Sequence, residues 1–187
     1  FPILGRLERE EAFIVGAFAG AGFAAVENVI YAAVGRSLAP GILLVRSLGG
    51  AIHPLGAGLV ALGWRELLRG ESGAGRRWFA HYAAAVGLHA LWNGGSLLVI
   101  ALAGARFFGA APPELDLLGV SAGATTLVLL LVLGLVSLWA GGRIAGEARP
   151  TAVGTLAPGD RSLALWAVAC LAALVPAGIA GLKIVIR

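Results

Sequence analysis

Five long apolar stretches dominate the sequence and decide what it can fold into. A helix needs about 20 residues to cross the roughly 30 Å hydrocarbon core of a bilayer, and each stretch has about that length. We place these predicted spans at about residues 12–34, 40–63, 79–103, 117–140 and 163–182. Short loops rich in Gly, Arg and Pro separate them. The sequence therefore predicts an all-α fold, a polytopic transmembrane helix bundle.

The composition supports a lipid environment for the whole chain. Hydrophobic residues make up 59% of the 187 residues and charged residues 13%, where about 25% charged residues is usual in soluble domains. A chain with so few polar side chains cannot cover its own surface, which excludes a soluble monomer. No internal repeat divides the sequence, so we expect one helical domain over residues 1–187, with the lipid bilayer as its solvent.

The loops carry the signals for topology. Most of the arginines fall on one side of the predicted membrane, which indicates a cytoplasmic N-terminus. We interpret the arginines behind the net charge of +4 as topology signals, and therefore expect no nucleic-acid partner. Arg far outnumbers Lys, and Ala and Gly are abundant, which indicates a multi-pass protein of a bacterial plasma membrane. The chain begins at Phe1 and contains no Met, so we expect an N-terminal truncation with further spans upstream.

Polar side chains at membrane depth occur in the first three predicted spans. Glu27 lies in the first span, His53 in the second, and His89 and Asn93 in the third. At a rise of 1.5 Å per residue, all four lie about 15–22 Å from the predicted cytoplasmic side of the membrane. An ionisable group inside a bilayer costs a few kcal/mol and by default marks a functional site. We therefore expect these side chains to converge. The fourth span has no ionisable residue and is predicted to face lipid.

Three further residues are predicted to support this site. Asn28 follows Glu27 directly, and Tyr31 lies one helical turn after Glu27, so its hydroxyl could reach the carboxylate or a substrate. Arg46 lies seven residues before His53 on the same helix face, either as a snorkelling structural residue or as a partner of Glu27. Pro54 and the glycines around it predict a bend or an unwound turn in the second span.

The residue types allow three kinds of chemistry. A carboxylate beside an imidazole can deprotonate a water, while a second imidazole and an amide stabilise an oxyanion. Alternatively, Glu27, His53 and His89 could ligate one Zn²⁺ and leave its fourth position to water. Both arrangements predict peptide-bond hydrolysis inside the membrane, and the spacing does not choose between them. The same groups could instead form the proton or ion pathway of a transporter.

The polar segments resemble the motifs of a known family. Residues 22–31 resemble the GFAxxENxxY signature of the PrsW family of intramembrane proteases, and residues 89–93 match its HxxWN motif. Arg46 and His53 match an Arg…His pair between them, so that the resemblance covers roughly residues 12–97. The family's leading Glu-Glu pair followed by Lys is not matched, because Ala12 follows Glu10 and Glu11.

The resemblance implies a function. It implies a protease related to the CAAX-processing and bacteriocin-immunity membrane proteases, which cuts a membrane protein or peptide such as an anti-sigma factor. If the roles of the family's motif residues apply to the matching positions here, the active-site residues would be Glu27, His53, His89 and Asn93. The family is labelled as metalloproteases, which implies Zn²⁺, whereas its CAAX-processing relatives resemble glutamate proteases without a catalytic metal. A non-catalytic scaffold or immunity protein with the same fold is the remaining alternative.

Overall fold

The protein is helical throughout the residues that the structure describes. This computed structural model describes residues 2–35, 39–107, 116–146, 161–172 and 175, and these contain helices and no strand. The described residues form a short 3-10 helix followed by six α-helices. In chain order these are the 3-10 helix Pro2–Arg6, α1 Arg9–Gly35, α2 Ala39–Ser47, α3 Ile52–Leu68, α4 Ala74–Phe107, α5 Asp116–Gly146 and α6 Arg161–Ala172. The expected all-α fold is confirmed.

Up to four of the five expected spans lie in the described residues. Helices α1, α4 and α5 are each long and apolar enough to cross a membrane, and α2 with α3 passes the same test as one broken span. The last predicted span begins as α6, which is too short to cross a bilayer alone. Most of the remainder of that predicted span lies outside the described residues.

The second span is broken where its glycines lie. Helices α2 and α3 meet at 50° across residues 48–51, which confirms the predicted bend. The break lies just before Pro54 rather than at it, because Pro54 occupies the first turn of α3, where its missing N–H breaks no helical hydrogen bond. Gly49 packs against the indole of the buried Trp92, and the carbonyl of Leu48 packs against Gly134 of α5. A Cβ at either glycine would overlap its neighbour.

Helix α3 is the centre of the bundle, with α1 packed on one side and α4 on the other. Glycines allow α1 to approach it closely. A Cβ at Gly16 would lie 2.6 Å from the Cβ of Ala61, and one at Gly20 would overlap the backbone carbonyl of His53. Nearer the start of α1, Phe13 packs against Trp166 of α6 with ring centroids 5.3 Å apart. The close contact between α1 and α3 positions the site described below.

One end of the bundle, which we call the basic end, is defined by the 3-10 helix and the turn between α3 and α4. Arg69 joins these two segments by donating hydrogen bonds to the carbonyls of Gly5 at 3.0 Å and Leu7 at 2.9 Å. The turn itself uses Gly70 and Gly73 at positive φ, 65° and 71°, where a side chain would be strained. Away from this end, α5 presents a largely exposed Leu and Val surface, as predicted for a lipid-facing helix.

Candidate active site

The four residues predicted to act together meet at one point. Glu27 of α1 lies 3.2 Å from the imidazole of His53 on α3, measured from Oε2 to Nε2. Its other oxygen, Oε1, lies 4.0 Å from Nε2 of His89 on α4 and accepts a long hydrogen bond of 3.5 Å from Nδ2 of Asn93. The structure therefore brings together side chains that are up to 66 positions apart in the sequence.

Arg46 joins the same cluster as a partner of Glu27. Its guanidinium forms an ion pair with Glu27 Oε2. It also donates hydrogen bonds to Oδ1 of Asn28 at 2.7 Å and to Oδ1 of Asn93 at 3.3 Å. Of the two roles considered from the sequence, the structure shows the ion pair. Arg46 is buried, with its side chain 2% exposed, and it ties α1, α2 and α4 together at this depth.

Tyr31 reaches the cluster by a different route from the one expected. The Arg46 guanidinium carbon lies 4.1 Å from the centroid of the Tyr31 ring, which is the geometry of a cation–π contact. The sequence suggested that the Tyr31 hydroxyl could reach the Glu27 carboxylate or a substrate. The observed contact is made by the face of the ring with Arg46.

Helix periodicity explains the local arrangement. His89 and Asn93 are one turn apart on α4, and Asn93 Nδ2 lies 2.7 Å from His89 Nε2. Gly20 holds the His53 backbone against α1, so the imidazole of His53 lies within reach of Glu27 two turns further along α1. The His53 and His89 rings meet edge to face with their centroids 4.9 Å apart.

Phe23 belongs to the site but was not predicted as a site residue. Its ring centroid lies 5.6 Å from that of His53 and 6.2 Å from that of His89. The signal was available, since Phe23 lies one turn before Glu27 and therefore on the same face of α1. Its ring packs beside both imidazoles and lines the same cavity as they do.

The two oxygens of Glu27 have different environments. Oε2 is shared by Arg46 and His53, whereas Oε1 has only the long contacts to His89 and Asn93. His53 Nε2 is fully buried and forms no hydrogen bond of good geometry. Buried polar atoms are nearly always hydrogen-bonded, so an incompletely satisfied pair in the middle of a membrane calls for a functional explanation.

The same geometry tests the predicted zinc site. Ligands of a tetrahedral zinc lie about 2.0–2.2 Å from the metal and so roughly 3.3 Å from one another. Glu27 Oε2 and His53 Nε2 are separated by about this distance, but His89 Nε2 lies 4.0 Å from the nearer Glu27 oxygen. In addition, Arg46 already forms an ion pair with the carboxylate that would bind the metal cation. No three His, Cys, Asp or Glu side chains in the described residues are arranged to hold a metal ion. As arranged here, the three candidate ligands do not fit zinc.

Comparisons with known proteins agree with the motifs. The model of a family described as PrsW family intramembrane metalloprotease matches residues 7–113, which is more than half of the chain. The matched segment contains α1 to α4 and all of the clustered side chains. Searches of curated proteins and of solved structures find no match.

Proposed function

Since the chain belongs to the PrsW family of intramembrane metalloproteases, we propose that it is an endopeptidase that hydrolyses a peptide bond of a membrane protein. The observation that carries this proposal is the convergence of Glu27, His53, His89 and Asn93 from three helices. We further propose that the membrane is a bacterial plasma membrane and that the substrate is of the anti-sigma-factor type that the motifs imply.

Glu27 acts as the general base in this proposal. The 4.0 Å gap between Glu27 Oε1 and His89 Nε2 is wide for a direct hydrogen bond but suits one water that contacts both atoms. Glu27 Oε1 is the oxygen that the ion pair with Arg46 leaves accessible. It takes a proton from this water, and the hydroxide attacks the carbonyl carbon of the scissile bond. General bases of this kind contribute about 10²–10⁴-fold to a rate.

His89 and Asn93 stabilise the tetrahedral intermediate. Both present nitrogen atoms beside Glu27 Oε1 and therefore beside the attacked carbonyl. Asn93 donates a hydrogen bond from Nδ2 to the carbonyl oxygen as it gains negative charge. His89 donates a second one in the tautomer with a proton on Nε2, in which it no longer accepts a hydrogen bond from Asn93. Together they take the role of an oxyanion hole. The carbon–nitrogen bond then breaks, and the proton held by Glu27 passes to the leaving amine. The carboxylate is restored, so protons balance over the cycle.

The remaining polar residues hold the base in place. Arg46 keeps Glu27 Oε2 occupied, and Asn28 and the Tyr31 ring position the Arg46 guanidinium. His53 contacts the same oxygen from the opposite helix. These contacts leave the carboxylate one orientation, with Oε1 toward His89 and Asn93, so the reacting geometry exists before a substrate arrives.

The family description includes a metal, and metal content tests the metal-free form of the proposal. We expect elemental mass spectrometry to find no stoichiometric zinc in the purified protein and no difference from a His53→Ala/His89→Ala variant. Zinc near one per chain that disappears in the double variant would contradict this expectation. It would assign both histidines as ligands in place of the water-only arrangement.

The peptidase itself is tested by mapping new protein termini. Membranes from cells that express the wild type are compared, by mass spectrometry of terminal peptides, with membranes that contain Glu27→Gln. We expect new termini in or beside apolar segments, and their loss by about 10²–10⁴-fold in the variant. Glu8→Gln is the control, because the Glu8 side chain is 73% exposed at the basic end. Identical termini from wild type and Glu27→Gln would refute the proposal, and pH-dependent ion flux in proteoliposomes would then favour a transporter.

A further inference from the structure

Trp92 is a motif residue without a role in the proposed hydrolysis. It lies on α4, between His89 and Asn93 in the sequence. Most of α4 is exposed, and the preceding residue Leu91 is 65% exposed, whereas Trp92 is buried, with 1% of its surface exposed. A large aromatic side chain that is buried on an otherwise exposed helix packs against a specific partner, and the break in the second span supplies that partner.

The indole of Trp92 packs on Gly49, inside this break. A Cβ at Gly49 would overlap the fused bond and the six-membered ring of the indole, so the contact requires glycine. The backbone itself does not require it, because positive φ among the described glycines occurs at Gly70 and Gly73. The space that Trp92 occupies is therefore the structural reason for a glycine at position 49.

Gly49 links the residues on the two sides of the break. Its N–H donates a hydrogen bond of 3.2 Å to the carbonyl of Arg46, and its carbonyl accepts one of 2.9 Å from the N–H of Ile52. Arg46 is the residue that forms the ion pair with Glu27. Ile52 begins α3 and directly precedes His53. A shift of Gly49 would therefore move both side chains that contact Glu27 Oε2.

We propose that Trp92 is a positioning residue, which holds Gly49 in place and thereby sets where the break in the second span delivers its polar side chains. These side chains are Arg46 and His53, and both contact Glu27 Oε2. Trp92 acts through them and not on the substrate. The inference rests on the proposed function, since these contacts orient the carboxylate that serves as general base.

The break is also packed against α5, which leaves it little room to move. The carbonyl of Leu48 packs against Gly134, so residues 48 and 49 contact α4 and α5 at once. Interiors packed this closely transmit a displacement instead of absorbing it. A misplacement of about 1 Å at reacting groups can reduce a rate about 10²-fold, so a contact outside the chemistry can decide the rate.

A second contact of the same kind provides a matched control. Trp166 of α6 is also 1% exposed, and a Cβ at Gly141 of α5 would overlap its indole. This contact joins α5 to α6, and neither residue belongs to the cluster around Glu27. Gly49→Ala and Gly141→Ala therefore place the same methyl group against a buried indole, once in the break and once in α5.

Kinetics on a substrate identified from its new termini give the first test. We expect Gly49→Ala to lower kcat about 10²-fold with little change in KM, and Gly141→Ala to leave kcat per folded molecule unchanged. Phenylalanine lacks the second ring of the indole, so kcat of Gly49→Ala/Trp92→Phe should rise at least about tenfold above that of Gly49→Ala. A double variant as slow as Gly49→Ala, or equal losses from the two glycine changes, would overturn the proposal.

Thermal unfolding in detergent tests the same contact without a substrate. Arg46→Met should lower the unfolding midpoint, because the Glu27 carboxylate loses its cation. In the Gly49→Ala background the ion pair is already displaced, so we expect Arg46→Met to lower the midpoint less than about half as much there. The Gly141→Ala background should keep the full decrease. Equal decreases in the two backgrounds would overturn the proposal, whether or not the chain is a peptidase.

The two measurements distinguish this inference from the proposed function. New termini from the wild type, together with an undiminished effect of Arg46→Met in the Gly49→Ala background, would overturn this inference alone. No new termini, together with a diminished effect, would overturn the proposed function and leave Trp92 as the residue that positions the ion pair. If Gly49→Ala does not fold, Trp92→Leu removes the same contact and should give both results, with Trp166→Leu as its control.

Discussion

In the residues that the structure describes, ion-paired side chains form two groups that each have buried members, and the groups differ in which side chains surround their carboxylates. At the basic end, Glu66 accepts a hydrogen bond from Arg77 at 2.6 Å. Glu71 accepts one from Arg65 at 3.0 Å, and Arg65 also donates to the Leu7 carbonyl. Each carboxylate of this group is paired with an arginine. The contacts join the 3-10 helix, α3 and α4.

The group around Glu27 combines an arginine with imidazole and amide side chains. One carboxylate oxygen meets Arg46, but the other has only contacts of 3.5 and 4.0 Å, and His53 Nε2 is buried without a hydrogen bond. Ion pairs between arginine and carboxylate fix helices in place, whereas unused hydrogen-bonding capacity at a fixed geometry can be completed by a reactant. We therefore expect the group at the basic end to be structural and the group around Glu27 to be reactive.

The largest expected effect comes from Arg46, which belongs to the group around Glu27. Arg46→Met leaves the Glu27 carboxylate buried without its cation, so we expect a loss of about 3–5 kcal/mol in the free energy of unfolding, together with loss of cleavage. Thermal unfolding in detergent measures the first effect. In the double variant Arg46→Met/Glu27→Gln, stability should recover because no charge remains unpaired, while cleavage stays absent. A double variant as unstable as the single one would contradict the ion-pair interpretation.

The next effect separates two histidines of α4. His89→Ala removes an oxyanion donor, and we expect kcat to fall about 10²–10³-fold with unchanged membrane insertion. His81→Ala is the matched control, because His81 lies on the same helix outside the cluster. The rates are measured on a substrate identified from its new termini. Equal losses in the two variants would show that His89 has no special role.

A smaller effect on stability is expected at the basic end. Arg65→Met removes hydrogen bonds to the Leu7 carbonyl and the Glu71 carboxylate, which should destabilise the protein by about 1.5–3 kcal/mol. Cleavage per folded molecule should stay at the wild-type level. A drop in the specific rate as large as that of His89→Ala would remove the distinction between the two groups.

The smallest effect is expected at Tyr31. Because its ring face contacts Arg46, Tyr31→Phe should keep the cation–π contact and change the rate less than about threefold. Tyr31→Leu loses that contact, which is worth about 0.5–2 kcal/mol. If Tyr31→Phe loses as much activity as His89→Ala, the hydroxyl takes part in the reaction.

Much of the fold follows from the sequence. Spans of apolar residues predict membrane helices by their length, and glycines beside Pro54 predict the bend of the second span. The described residues confirm the bend and up to four of the five spans. The position of the break depends on packing, because Trp92 and Gly134 come from other helices and hold residues 48 and 49 between them.

The depth of each polar residue could be counted along its own helix, and this was enough to predict that Glu27, His53, His89 and Asn93 act together. Helix periodicity likewise placed His89 and Asn93 on one face. Such arguments are local, since a rise of 1.5 Å per residue determines height but not which way a helix faces its neighbours. The catalytic roles themselves stay a prediction.

The tertiary structure decided which atoms of these residues meet. Arg46 could have turned toward the membrane surface, but packing of α2 against α1 places it on Glu27 Oε2 and on the Tyr31 ring. That contact leaves Oε1 toward His89 and places a positive charge on the carboxylate that would bind zinc. The sequence by itself determined the membrane helices, the depth of their polar residues and the types of residue found there. These features depend on spacing along one helix and on the free energy of transferring side chains from water to lipid. Orientation and pairing needed the structure, because they depend on how several helices pack at once.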